Sequence, residues 1–311
     1  MKIILHIGMG KSGSTYIKNN VFKKFKNSIF LEQLSEEMID LMTLNNIQFE
    51  KKNVFKNILT EQNQKDKEYL FISNSSATLP KKFDQFIICD RLHSKLKGCM
   101  VILILRNQKS YIRSFYLERL AAGIYVNYKN FFQYCIKNYN VSILPFLNYY
   151  DLVKYYSEKF GKNNLKLFLF EELFDHSKNF NKNLFEEKTG INLGNIVFKQ
   201  EKVNSSIPDQ LVGLRCLINR LIRYDDGEGL YSIPTRLINQ HKDFSLKYYY
   251  KVLLNRFFKS PILLNIFRRK GNFNNNEINQ HIEKLYGKSN FKLQKEFNLD
   301  LKSNGYPFLD T

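Results

Sequence analysis

The sequence has few cysteines, no long run of apolar residues and a shortage of acidic side chains. The four cysteines (Cys89, Cys99, Cys135 and Cys216) are scattered and form no C-x-x-C pair. This scatter favours reduced, buried thiols and argues against a cysteine-based metal site. No apolar run is long enough to span a bilayer, and no signal peptide precedes the first apolar run. We therefore expect a cytoplasmic protein.

The shortage of acidic residues gives the chain a strong positive charge. Lys and Arg number 48 against 29 Asp and Glu, which gives a formal net charge of +19. A composition rich in Lys, Asn, Ile and Phe explains this charge, and so would a polyanionic substrate, an anionic cofactor or a membrane surface. Because the chain contains no zinc-finger spacing, RRM signature or KH loop, we do not expect a nucleic-acid partner.

The apolar segments predict an α/β fold. A hydrophobic fraction of 43% excludes disorder. Apolar runs predict strands at residues 2–7, 28–31, 69–73, 100–105 and 165–170, and helical periodicity is found at 13–26, 34–44, 54–59 and 109–122. Alternating strands and helices indicate a P-loop-type parallel sheet flanked by helices. We expect one domain over residues 1–311, with an α/β core at 1–205 and a mainly helical extension at 206–311.

The first strand runs into a loop suited to an anion. Glycines let successive backbone N–H groups turn toward one oxyanion, and the following helix adds its positive N-terminal end. A lysine supplies a full charge, and hydroxyls supply further donors. The residues with these properties are Gly8, Gly10, Lys11, Ser12, Gly13, Ser14 and Thr15.

This loop differs from the common nucleotide-binding loop. In G-x-x-x-x-G-K-[ST] the lysine directly follows the last glycine, whereas Lys11 comes two residues before Gly13. The spacing here is G-x-x-K-S-G-S-T. We therefore interpret the loop as an anion site of a different kind from that of ordinary ATP enzymes, in preference to a glycine-rich turn without a ligand.

A second anion site is predicted where the strand at residues 100–105 ends. Arg106 follows this strand, and Ser114 lies eight residues later in the next helix. Ligands of parallel sheets bind at the carboxyl ends of strands, and the planar fork of arginine suits a phosphate. The alternative is that Arg106 pairs with a neighbouring carboxylate and that Ser114 is an ordinary helix-surface residue.

Together the two motifs resemble the sulfotransferases that depend on 3'-phosphoadenosine 5'-phosphosulfate (PAPS), in particular bacterial members that act on carbohydrates. The resemblance rests on H-I-G-M-G-K-S-G-S-T-Y-I and L-I-L-R-N-Q-K-S-Y-I-R-S-F-Y, and more loosely on residues 169–191 and the C-terminal S-N-F-K-L-Q-K-E-F-N-L-D-L-K-S-N-G-Y-P. It implies that the first loop binds the 5'-phosphosulfate and that Arg106 and Ser114 bind the 3'-phosphate. It also implies that Lys11 is catalytic, acting on the bridging oxygen of the leaving phosphate, with adenosine 3',5'-bisphosphate as the product.

The resemblance also points to a base and to a further donor contact. Glu32, after the second strand, stands where many carbohydrate sulfotransferases have a catalytic glutamate, and the alternative is a solvated helix-start residue. Arg269, Lys270 and Gly271 resemble the R-K-G near the donor's 3'-phosphate in cytosolic members. The glutamate that many bacterial relatives carry after the third strand is absent from Ser73-Asn74-Ser75-Ser76. We expect no metal.

Two other functions stay open. One is a P-loop nucleotide kinase, which would require a lysine directly after the last glycine and an aspartate at a strand end, and the sequence has neither. The other is a non-catalytic protein that docks on polyanions or a membrane surface. For a sulfotransferase we expect a glycan or glycoconjugate acceptor. Basic and aromatic residues near 256–270 suggest peripheral contact with an anionic membrane, or a core helix with basic ends.

Overall fold

The computed structural model of the chain describes residues 1–31, 36–55, 67–73, 85–174, 179–196, 198, 207–222, 257–258, 273 and 275–309. Within these residues, five strands form one sheet: β1 Lys2–His6, β2 Ser28–Leu31, β3 Tyr69–Ser73, β4 Met100–Leu105 and β5 Leu165–Leu169. The strand order is β2-β3-β1-β4-β5, and every pairing is parallel. The predicted parallel α/β sheet is confirmed.

Helices connect and cover the strands. In chain order they are α1 Ser14–Asn20, α2 Glu36–Thr43, α3 Asn46–Lys51, α4 Gln85–Lys95, α5 Gln108–Ala122, α6 Tyr128–Lys137, α7 Tyr149–Phe160, α8 Phe170–Leu173, α9 Lys182–Thr189, α10 Val212–Ile222 and α11 Asn276–Phe297. Short 3-10 turns lie at Phe22–Lys24, Tyr139–Val141, Leu144–Leu147 and Asp209–Leu211.

The sheet is buried on both faces, which explains why its strands are continuous apolar runs. On one face Ile4, Ile102 and Phe168 pack with apolar residues of α1 and α9. On the other face Leu5, Val101 and Leu103 pack with residues of α4 to α7 and α11. Neighbouring residues of one strand therefore contribute to two separate cores, as the alternation of a β-strand requires.

The order of the strands places two loops side by side. β1 lies between β3 and β4. After β1 the chain forms β2 and β3 on one side of it, and then β4 and β5 on the other side. His6, the last residue of β1, pairs with Ile102, and β4 continues for three residues to Leu105. Such a reversal of strand order opens a crevice at the carboxyl ends of the strands. The glycine-rich loop and Arg106 both follow strands at this crevice.

Several predicted boundaries need correction. The helix predicted at 13–26 ends at Asn20, because the backbone turns into a 3-10 segment after Val21. The last strand ends at Leu169, one residue early, since Phe170 begins α8. Val54 and Phe55 form a turn, and the rest of the helix predicted at 54–59 lies outside the described residues. The helices that were not predicted are α3, α4, α6, α7, α8 and α9.

The described parts of the C-terminal third are mostly helical. α11 contacts α5 and α7, and its buried Tyr286 donates to the carbonyl oxygen of Leu144 at 2.8 Å. Buried Asn290 pairs with Gln108 at the start of α5, with 2.9 Å between Gln108 Nε2 and Asn290 Oδ1. This buried amide pair joins the last helix to the segment that follows β4.

Candidate anion-binding site

The loop after β1 adopts a tight conformation that depends on glycine. Gly13 has a φ of 78°, and Lys11 also has a positive φ of 68°. A Cβ at Gly13 would lie 2.4 Å from Cε2 of Phe174, and a Cβ at Gly8 would lie 2.3 Å from Oγ of Ser14. Because real Cβ atoms do not approach other atoms this closely, no larger residue fits at either position without rearrangement.

The loop's hydroxyl groups are placed in three different ways. Ser14 donates to the carbonyl oxygen of Met9 at 3.1 Å, inside the loop. Ser12 is fully buried, and its Oγ has no hydrogen-bond partner among the described residues. Thr15 is exposed in the first turn of α1. Of these three side chains, only Thr15 faces solvent, so Ser12 and Ser14 would have to reorient to bind a ligand through their hydroxyls.

A buried histidine lies beneath the loop. His6 has no exposed surface, and its Nδ1 lies 2.9 Å from Oγ of Ser73 at the end of β3. Burial, assisted by the charge of Lys18, lowers the pKa of His6 to about 3. The ring is therefore neutral at physiological pH, and its Nε2 has no hydrogen-bond partner in the described part of the chain. His6 is therefore a hydrogen-bonded residue of the core.

Arg106 contacts the loop directly. Its Nη1 donates to the carbonyl oxygen of Lys11 at 2.5 Å, and its Nε donates to Oγ of Ser110 at 3.0 Å. The guanidinium carbon lies 4.7 Å from the centre of the Phe170 ring, a cation–π distance. Desolvation by burial lowers the pKa of Arg106, and the charge of Glu171 opposes this effect. Nη2 donates to no residue in the described ranges.

One face of α5 borders the crevice. Ser110, Ser114 and Glu118 follow one another at four-residue spacing, which places them on the same side of the helix. Ser114 is half-buried. Oε1 of Glu118 lies 3.5 Å from Nζ of Lys11, and the two side chains are 37% and 28% exposed. The structure therefore brings Lys11, Arg106 and the Ser114 face of α5 together.

A hydrogen-bonded cluster, here called the clasp, lies next to Arg106. It joins Asn107 to Glu171 of α8 and to Gly305 and Tyr306 of the C-terminal turn. Glu171 accepts from the backbone N–H of Asn107 at 3.0 Å and from the hydroxyl of Tyr306 at 2.8 Å. The side chain of Asn107 donates to the carbonyl oxygen of Gly305 at 2.7 Å. Burial raises the pKa of Glu171, although these hydrogen bonds act in the opposite direction. The two loosely matching segments, L-F-E-E-L and S-N-G-Y-P, thus meet beside the strand-end arginine.

Several predicted site residues cannot be placed. Glu32 and the group Arg269, Lys270 and Gly271 lie outside the described residues, so their roles stay predictions. Among the residues that the structure does describe, no group of His, Cys, Asp or Glu could hold a metal ion. Across these same ranges, no helix is both long and apolar enough to span a membrane.

The placed residues suit a ligand with two phosphate-type groups. Gly8 and Gly13 allow the tight turn that leads into the N-terminus of α1, and Lys11 and the exposed Thr15 supply donors at the same loop. The third guanidinium nitrogen of Arg106, next to this loop, donates to none of the described residues. An anion at the loop and a second anion at Arg106 would therefore each have hydrogen-bond donors within this site.

The sequence interpretation missed four residues of this site. Glu118 and Ser110 could have been found from helical spacing, because they stand four residues from Ser114 on either side. Phe170 and Tyr306 gave no such signal. Their positions beside Arg106 and Glu171 depend on how distant segments pack, which no local pattern reveals.

The chain matches no protein-family model and no curated protein. Among solved structures it is similar to a sulfotransferase from Alicyclobacillus acidocaldarius, with a TM-score of 0.46 and 12% identity. The match covers 72% of this chain and 97% of that chain. At this TM-score and identity, the likeness carries no argument about fold or function.

Proposed function

We propose that the chain is a sulfotransferase that moves a sulfuryl group from PAPS to a hydroxyl or amine acceptor. The observation that carries the proposal is the contact between Arg106 and the backbone of Lys11. It joins a loop suited to one phosphate-type anion to a strand-end arginine suited to another. A nucleotide with phosphate groups on both its 3' and 5' positions needs two such sites around one nucleoside.

In this proposal the protein contributes positioning and charge. Lys11 stabilises negative charge on the leaving phosphate oxygen, and the N–H groups of the loop hold the other anionic oxygens. Arg106 and Ser114 bind the 3'-phosphate, which fixes the nucleotide relative to Lys11. The acceptor oxygen forms a bond to sulfur as the bond from sulfur to the phosphate oxygen breaks, so adenosine 3',5'-bisphosphate leaves. Glu32 is our proposed acceptor of the hydroxyl proton, and Arg269, Lys270 and Gly271 are proposed further contacts to the 3'-phosphate.

The acceptor we propose is a glycan or glycoconjugate, as in the family that the motifs resemble. Peripheral contact with an anionic membrane has weaker support. Phe258, inside the stretch that suggested it, is fully buried, and the guanidinium of Arg215 lies 5.0 Å from its ring centre. Phe257 beside it is exposed, and these two are the residues of the stretch that the structure describes, so the core helix and the membrane contact both stay predictions. Flotation with anionic vesicles tests the membrane contact, and absence of co-flotation would remove it.

A thermal-shift comparison of three nucleotides tests the proposed function. We expect a clear stabilisation by adenosine 3',5'-bisphosphate and little effect of ADP or of ATP with magnesium. Ligand binding to the folded state raises the unfolding temperature in proportion to the logarithm of ligand concentration over Kd. Arg106→Ala should reduce the shift. A preference for ATP would support a kinase, and equal, salt-sensitive binding of all polyanions would support a docking protein.

A further inference from the structure

Glu118 lies next to the one charged side chain of the glycine-rich loop. Its Oε1 is 3.5 Å from Nζ of Lys11, and both side chains are open to solvent. We infer that Glu118 is the internal counter-ion of Lys11, which an anionic group must replace, so that Glu118 sets the affinity and charge selectivity of the loop. The inference rests on the proposed function, because it concerns the group that binds at Lys11.

The backbone segments that carry Glu118 and Lys11 are both fixed by contacts with other parts of the protein. α5 is fixed by buried neighbours of Glu118, since Leu117 and Leu120 have little or no exposed surface. The backbone of Lys11 is held by the hydrogen bond from Arg106. With both backbones anchored, the ion pair can open only by rotation of the side chains. The lysine side chain is long and flexible, so it can turn from the carboxylate to a ligand without movement of the loop.

Replacement of the carboxylate has an electrostatic cost that depends on the ligand. A ligand anion that contacts Lys11 must compete with Glu118 for the same ammonium group and then remain close to its negative charge. A phosphate or phosphosulfate carries more charge and more acceptor oxygens than a carboxylate, so it can displace Glu118 from the ammonium group of Lys11. A weakly charged ligand cannot displace this carboxylate. Glu118 therefore selects for ligands with a strongly anionic group at the loop.

A pair of nucleotides separates this effect from a general change of charge. Adenosine 3',5'-bisphosphate carries a 5'-phosphate for the loop, whereas adenosine 3'-monophosphate lacks it and keeps only the group assigned to Arg106. Glu118→Gln removes the negative charge and preserves the side-chain size. By calorimetric titration we expect the Kd of the bisphosphate to fall about threefold to fivefold, the size typical of an exposed ion pair. The Kd of the monophosphate should not change.

The matched control is Glu283→Gln. Glu283 also pairs with a lysine of α5, Lys109, and its side chain is 39% exposed, close to the 37% of Glu118. This variant should leave both Kd values unchanged. In a Lys11→Gln background, Glu118→Gln should likewise have no effect, because the partner through which it acts is gone.

The outcomes distinguish the inference from the proposed function. If the wild-type protein binds the bisphosphate but Glu118→Gln leaves its Kd unchanged or weakens it, the inference is wrong and the function stands. If both nucleotides tighten equally, Glu118 acts as a general surface charge and the inference is again wrong. If the wild-type protein does not bind the bisphosphate at all, the proposed function fails, and the inference fails with it.

Discussion

The Arg106 guanidinium donates from Nη1 to the backbone carbonyl oxygen of Lys11, with 2.5 Å between the two atoms. The two residues are 95 positions apart in the sequence. Arg106 thus has two roles available to it, since it holds the loop in place and offers a further nitrogen to a ligand. A change at this residue should affect both the stability of the loop and the binding of a phosphate group.

Arg106→Lys tests the need for the planar fork. Lysine keeps the charge but cannot donate to Ser110 and to the Lys11 carbonyl in the same geometry or stack on Phe170 in the same way. We expect the affinity for adenosine 3',5'-bisphosphate, measured by calorimetric titration, to fall roughly tenfold. Arg113→Lys, on helix α5 that follows Arg106 and paired with Asp209, is the control and should bind normally. Equal affinity of wild type and Arg106→Lys would show that charge alone suffices.

Gly13→Ala should destabilise the protein more than Gly190→Ala. Both glycines have a positive φ, 78° and 68°, so both substitutions impose backbone strain of about 1 kcal/mol. Only at Gly13 would the new Cβ meet a side chain, 2.4 Å from the Phe174 ring, whereas nothing lies within 4 Å of it at Gly190. Overpacking adds about 1–3 kcal/mol at Gly13. Urea unfolding measures both losses, and equal losses would contradict the close approach.

His6 should make the stability of the protein depend on pH below neutrality. The unfolded histidine binds a proton at its ordinary pKa of 6.5, while the folded one does so only near 3. The unfolded state therefore binds more protons between these values, and stability is full above pH 6.5 and declines as the pH falls toward 3. The largest decline is about 5 kcal/mol, from 1.36 kcal/mol per pKa unit.

His6→Asn should remove this component of the pH dependence. The measurement is the difference in unfolding free energy between wild type and variant as a function of pH. His281→Asn is the control, because His281 is exposed on α11. If the wild-type and His6→Asn curves run parallel from pH 7 to 4, the histidine is not held neutral by burial.

Tyr306→Phe should weaken the clasp behind Arg106. Tyr306 is only 3% exposed, and its hydroxyl donates to half-buried Glu171, which loses one of its two hydrogen bonds from other segments in the variant. We expect a loss of about 1 kcal/mol in urea unfolding, since the half-buried carboxylate of Glu171 loses a hydrogen bond that it makes in the folded state. Tyr150→Phe removes a similar but exposed hydrogen bond to Glu296. That control should cost less, and a cost equal to that of Tyr306→Phe would contradict the clasp.

The sequence was sufficient to predict the strands and the glycine-rich loop. The predicted bounds of β2, β3 and β4 are those of the structure. Strands buried on both faces are continuous apolar runs, and this property is local, so it can be seen in a few consecutive residues. Helix ends were less accurate, as α1 shows, because its end at Asn20 depends on the turn that follows.

The sequence by itself determined the sheet, the loop and the separate presence of an arginine after β4. Only the tertiary structure decided which groups meet: Arg106 with the Lys11 carbonyl, Glu118 with Lys11, and Tyr306 with Glu171. The physical reason is the range of the interactions. Strand burial is encoded within one segment, whereas these contacts arise from the strand order and from packing between segments far apart in the chain.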